Sequence, residues 1–284
     1  MILIAISFLM LLLFPSFSHQ GIKNGLALLQ NQVIPSLFPF IFISNLFQNF
    51  ISGSNHFLYI FIGFLSGYPI GAKVVAESNT SNIRISKQDL LILCNNPSIA
   101  YMLSFIGEQC FQRKQYGLLM YLSILTGNIM YIIIKHFIVD SYDLQSKINH
   151  KLYYCSFSSA AFDSSIKNTF HSLASISTYV LLFSIISVFI NNICLLPNLF
   201  KSLILGICEI TTGTLQITQS SLTLCSKLII ITGMTAFGGL SIFAQTHAMI
   251  YKTNLSIKKY MTDKAIASVI AMYVMYGFTL LFNI

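Results

Sequence analysis

The chain is 284 residues long, 55% hydrophobic and only 8% charged, with a net charge of +8 and a mean hydropathy of +0.74. A soluble domain carries roughly a quarter charged residues, so this composition excludes one and predicts an all-α, polytopic integral membrane protein with the lipid bilayer as its solvent. The 16 basic residues are spread thinly through connectors and form no aromatic-interleaved patch. That argues against nucleic acid as a partner and reads as positive-inside bias.

In chain order, nine segments are apolar over windows near the roughly 20 residues that a spanning helix needs. They are 1–18, 26–50, 57–76, 88–109, 116–139, 170–193, 199–219, 224–250 and 263–283. Segment 1–18 has no basic start and no clean small-x-small cleavage site before Gly21, so a retained transmembrane helix is expected there rather than a leader. Segment 57–76 is interrupted by Ser66-Gly67-Tyr68-Pro69-Ile70-Gly71-Ala72-Lys73. Pro69 has no N–H to donate and drives Tyr68 out of the α region, while Gly67 and Gly71 accept backbone angles that other residues resist. The octet should break the helix at bilayer depth, where unpaired backbone must be enclosed by protein or line a polar cavity. Lys73 adds a charge at the same depth.

Segment 88–109 is interrupted by Cys94-Asn95-Asn96-Pro97-Ser98. The two carboxamides donate and accept, and Pro97 suits the first turn of a new helix whose N–H groups favour an anion. A polar connector, 140–168, then carries Asp140, Asp143, Lys147, Lys151, Asp163 and Lys167. Beyond it, Glu209-Ile210-Thr211-Thr212-Gly213-Thr214 puts an acid and three hydroxyls inside segment 199–219. In segment 224–250, Phe237-Gly238-Gly239-Leu240-Ser241, followed by Gln245 and His247, allows unwound backbone. The loop Tyr251–Lys264, with Lys252, Lys258, Lys259 and Lys264, is the most basic and is the expected cytoplasmic loop. Plainer readings stand beside these: a kink at Asn96-Pro97, a packing notch at Gly238-Gly239, and a structural ion pair between Lys73 and Glu209.

The expected organisation is an N-terminal transmembrane helix (1–18), a first repeat (19–139), a polar linker (140–168) and a second repeat (169–284). Gly71 and Asn96 are spaced as Gly213 and Gly238 are, and the second pair follows the first by half the chain. Broken helices at corresponding points of two halves point to a transporter site, and an odd number of crossings per half, with one segment re-entrant, makes the repeats inverted. No zincin, nucleophile-elbow, Walker A or dinucleotide motif occurs, so an enzyme is not expected. The six cysteines (94, 110, 155, 194, 208, 225) show no metal-ligand or disulfide spacing, and no cofactor is expected. Transport would be passive or coupled to an ion, H+ or Na+.

Taken together, S-G-Y-P-I-G-A-K at 66–73, N-N-P-S at 95–98, E-I-T-T-G at 209–213 and F-G-G-L-S-I-F-A-Q at 237–245 resemble the sporulation integral membrane protein YlbJ family. That family, also called SpoVV, belongs to the nucleoside-recognition (Gate) superfamily, and the resemblance runs from about Pro35 to the C-terminus. It implies a fold like that of concentrative nucleoside transporters, with repeated halves and re-entrant hairpins. It also implies a role in moving dipicolinic acid across the outer forespore membrane during sporulation. In the resulting hypothesis the four breaks converge on a solute site. Lys73 offsets negative charge on the solute, and helix N-termini near Pro69 and Pro97 bind carboxylate oxygens. Asn95, Asn96, Thr211, Thr212 and Ser241 supply neutral hydrogen bonds, and Glu209 tunes Lys73 or carries a coupling proton. Ser66, Gly67, Tyr68, Gly71, Ser98, Gly213, Gly238, Gly239 and Gln245 complete the set. The alternatives are a nucleoside or other metabolite as solute, or a non-transporting scaffold that meets copies of itself or other membrane proteins.

Overall fold

The computed structural model describes residues 12–52, 61, 63, 66–77, 85–138, 153–154, 159–193 and 197–284. Nearly all of these are helical, and the only strands among them are the antiparallel pair β1 (Ile51–Ser52) and β2 (Tyr153–Tyr154). Four helical stretches are long and apolar enough to cross a membrane: Lys114–Ile138, Ser159–Asn192, Leu224–Ile250 and Ile257–Leu281. The chain is a multi-pass membrane protein.

Helix α1 (Pro15–Leu28) passes through a π-helical turn (Leu29–Val33) directly into α2 (Ile34–Phe50). Pro15 occupies the first turn, where its missing N–H is harmless. Pro35 has no N–H for the carbonyl four residues back, and the wider turn lies just ahead of it. The connector expected between segments 1–18 and 26–50 is therefore helix, which runs unbroken through residue 18. Residues 1–11 lie outside the described residues.

The second long helix, α6 (Ser159–Ile193), also begins earlier than expected, so the end of the 140–168 linker, with Asp163 and Lys167, is helical. At 1.5 Å per residue α6 is roughly 50 Å long, well beyond the ~30 Å hydrocarbon core, which lets its polar start project from the bilayer. Apart from Tyr153–Tyr154, the rest of the linker, with Asp140, Asp143, Lys147, Lys151 and Cys155, lies outside the described residues, as does Cys194.

The remaining described elements divide between the two halves of the chain. The first half has α3 (Ile70–Glu77), α4 (Lys87–Cys94), a π-helix (Tyr101–Cys110) and α5 (Lys114–Ile138). The second has α7 (Asn198–Cys208), α8 (Ile210–Gln219), α9 (Leu224–Phe237), α10 (Gly239–Ile250) and α11 (Ile257–Leu281). Both halves end in an unbroken helix of 25 residues, α5 and α11.

Helices of the first half pack on helices of the second in two antiparallel arrangements. Along α5 and α11, Ser123 meets Met275, Gly127 packs on Ala271, and Tyr131 reaches Asp263. Along the long helices, Gly21 packs on Ile185, Phe38 on Phe170, and Asn45 bonds Thr169. Gly21, Gly25 and Gly127 let these backbones approach where a Cβ would collide with the partner helix. The largest apolar cluster, including Met102, Ile124, Leu228 and Ile231, joins elements of both halves.

Candidate functional site

All four expected interruptions are breaks in the helical backbone. At the first, Gly67 has φ +72, the Tyr68–Pro69 peptide is cis, and α3 starts at Ile70. At the second, α4 stops at Cys94 and Asn95 leaves the α region (φ −96, ψ 81). At the third, Glu209 is extended (φ −145, ψ 117) between α7 and α8. At the fourth, Gly238 and Gly239 both have positive φ, +96 and +74, which side-chain-bearing residues rarely adopt.

The breaks repair one another. Helix ends leave N–H and C=O groups without intrahelical partners, and in lipid these must be satisfied by protein. Asn95 Oδ1 accepts from the Ala72 N–H in the first turn of α3 at 3.2 Å. Asn96 Nδ2 donates to the Leu93 and Ile92 carbonyls at the end of α4, at 2.5 and 3.3 Å. The Tyr68 hydroxyl donates to the Thr235 carbonyl, stranded at the end of α9, at 3.1 Å. The Glu209 carboxylate caps α8, accepting from Thr211 N–H (3.0 Å), Thr212 N–H (2.7 Å) and the Thr212 hydroxyl (2.8 Å). The first two breaks also touch, since a Cβ on Gly71 would collide with the Cys94 carbonyl and one on Gly67 with the backbone of Ser98.

A cavity of about 100 Å³ lies where the four meet. The first break contributes Tyr68, and the second Pro97 and Ser98 with Tyr101 just beyond. The third contributes Glu209, Ile210 and Thr211, and the fourth Ser241, Ile242 and Gln245. Val33, Leu37, Ile176 and Val180 of the long helices form its apolar side. Val33 ends the π-helical turn, a feature often found at functional sites. The Tyr101 hydroxyl is buried close to Thr211, Thr214 and Glu209, yet no well-aligned hydrogen bond engages it. Gln245 Nε2 donates to Ser241 Oγ at 3.1 Å.

Several expected site residues stand behind this wall rather than on it. Asn95 donates to Thr246 and Tyr260, both at 2.9 Å. Asn96 Oδ1 accepts from Asn128 Nδ2 at 2.7 Å. Gly67, Pro69, Gly71, Gly213, Gly238 and Gly239 shape the breaks, Gly213 by packing on Gly206. The Ser66 hydroxyl is buried without a hydrogen bond among the described residues. Thr212 faces a second cavity.

Lys73 is the main correction. Its ammonium turns to the long helices, donating to Asn45 Oδ1 at 2.6 Å and Ser172 Oγ at 3.4 Å, and it neither lines the cavity nor pairs with Glu209. The expected use of helix N-termini for an anion changes too, because Asn95 already fills α3 and Ser98 accepts from Tyr101 N–H at the start of the π-helix.

The cation at the breaks is Lys264, which the sequence reading assigned to a cytoplasmic loop. It is 0% exposed, donates to Asn96 Oδ1 at 2.8 Å, and sits 5.8 Å from the centroid of the Tyr68 ring. Among the described residues no carboxylate lies within ion-pair distance of it. The signal was present: Tyr260, Lys264, Ala267 and Ala271 recur at helical spacing and all face inward.

Two carboxylates also meet inside the bundle although no close pair is visible in sequence. Lys135 bridges Asp89 at 2.5 Å and Asp263 at 3.4 Å, and the Tyr131 hydroxyl donates to Asp263 at 2.5 Å. This network ties α4, α5 and α11 together. No protein-family model matches the chain, and no curated protein or solved structure matches it either.

Proposed function

We propose that the chain is a membrane transporter that holds a small anionic solute in the chamber where its four breaks meet. One observation carries this reading: residues from all four breaks, two in each half, line a single cavity. Mutual repair brings the breaks together but does not call for a cavity at their meeting point, whereas secondary transporters build midplane sites from discontinuous helices. The antiparallel packing of first-half helices on second-half helices supports inverted repeats.

The charge balance at the chamber favours an anion. The Glu209 charge is matched by three donors at the α8 N-terminus. The Lys264 charge has only a neutral carboxamide and an aromatic face. It stands one side chain behind Tyr68, close enough in a low-dielectric interior to attract a carboxylate. Dipicolinate, the solute implied by the resemblance to the YlbJ family, is a flat dianion that suits this arrangement. The hydroxyls and amides of Ser98, Thr211, Ser241 and Gln245 also suit a nucleoside, which keeps that solute as the second reading.

Uptake by proteoliposomes tests both. Dipicolinate accumulation, lost in Lys264→Met and partly restored in Lys264→Arg, is the expected result. Nucleoside uptake that ignores Lys264 would transfer the assignment to the second reading. Absence of flux for either solute would remove the transport reading. Repeating the uptake under an imposed proton or sodium gradient identifies the coupling ion.

A further inference from the structure

A second, polar cavity of about 80 Å³ lies between α1, α6 and α8. Its mouth is formed by exposed Gln20, Asn24 and Asn191, and its floor by buried Ser184 and Ser187 with Thr212. Both serine hydroxyls are buried without a hydrogen-bond partner among the described residues. Buried polar groups are satisfied almost without exception, and one water needs only roughly 10–15 Å³ of such space, so this cavity has the chemistry and the room to be hydrated. Its floor adjoins the chamber at one residue pair: Thr212 faces the polar cavity, Glu209 faces the chamber, and the Thr212 N–H and hydroxyl donate to the Glu209 carboxylate at 2.7 and 2.8 Å.

We propose that this polar cavity is the hydrated access path to the chamber, closed at its inner end by the Glu209–Thr212 contact. The path suits a small water-soluble solute: its mouth offers carboxamides, which hydrogen-bond an anion or a neutral polar molecule alike. Apolar solutes gain nothing there. Opening requires only that the Thr212 hydroxyl leave the carboxylate, while the Thr211 and Thr212 N–H groups keep α8 capped. The solute's use of the path rests on the transport reading above; its hydration and its gate do not.

Cysteine labelling of the full-length protein in liposomes tests this without knowledge of the solute. The probe is a cationic, membrane-impermeant methanethiosulfonate, read by mass spectrometry of each peptide. Native Cys94, equally buried and facing neither cavity, is the internal reference. Asn24→Cys at the mouth and Ser187→Cys at the floor should both react, Ser187→Cys roughly tenfold faster than Cys94 because it meets water. Thr212→Val, which keeps the shape but loses the hydroxyl, should speed labelling of Ser241→Cys in the chamber severalfold. Labelling of Ser187→Cys no faster than that of Cys94 would overturn the path. A Ser241→Cys rate unmoved by Thr212→Val would make the cavity a closed pocket and overturn the gate. Brisk labelling of Ser187→Cys with no flux of any solute would uphold the path while defeating the transport reading.

Discussion

Glu209 lines the chamber and Lys264 stands behind Tyr68, and their surroundings treat them differently. Glu209 is held by donors at a helix start, so removing its side chain should cost about 1 kcal/mol through the lost cap. Glu209→Ala is therefore expected to lower the melting temperature in detergent, and Glu209→Gln, which keeps one acceptor, to lower it less. An unchanged melt in Glu209→Ala would show that α8 needs no cap. Lys264 is the reverse case: a buried ammonium without a carboxylate is a burden on the fold that a function must justify. Lys264→Met should melt at or above the parent temperature while dipicolinate uptake falls by about tenfold or more, the loss expected when one partner of a desolvated charge pair is removed. A melt lowered by several degrees with uptake intact would make Lys264 a structural residue.

The interrupted elements are stable only as a set, because each break supplies what another lacks. Tyr68→Phe leaves the Thr235 carbonyl at the end of α9 without its donor, which should cost about 1–3 kcal/mol. Gly71→Ala drives a methyl group against the Cys94 carbonyl and should cost a similar amount, about 1–3 kcal/mol, by overpacking. Denaturation of both variants checks this; wild-type stability in either would mean that the breaks tolerate separation. The positions of the breaks were legible in the sequence because proline, paired glycines and clustered amides are local signals that need no partner to be read. The inward turn of Lys264 and the turn of Lys73 toward the long helices were not, because both depend on which helix lies alongside. A lysine next to Asp263 near an apolar run looks like a loop cation until α5, α4 and the second break close over it. The uninterrupted passage from α1 to α2 was hidden for a similar reason: the polar residues between Ser18 and Gly25 read as a connector, yet Gly21 and Gly25 serve close packing on α6.

At the scale of the molecule, antiparallel pairing of α5 with α11 puts their N-terminal ends on opposite faces of the bilayer. Arg113→Cys, just before α5, and Lys252→Cys, before α11, should therefore label from opposite sides of oriented vesicles, with Lys252 on the cytoplasmic side if positive-inside bias holds. Labelling from one side would end the inverted-repeat reading. The packed helices together enclose polar backbone that lipid would not tolerate, and on the transport reading water and a solute share that enclosure. That is measured most directly by following thiol labelling at Ser98→Cys and Ser241→Cys, one in each half, while dipicolinate is titrated. Slow but measurable reaction at both, with the same dipicolinate concentration protecting both, is the predicted result; two inert sites, or two reactive sites blind to the solute, would contradict it.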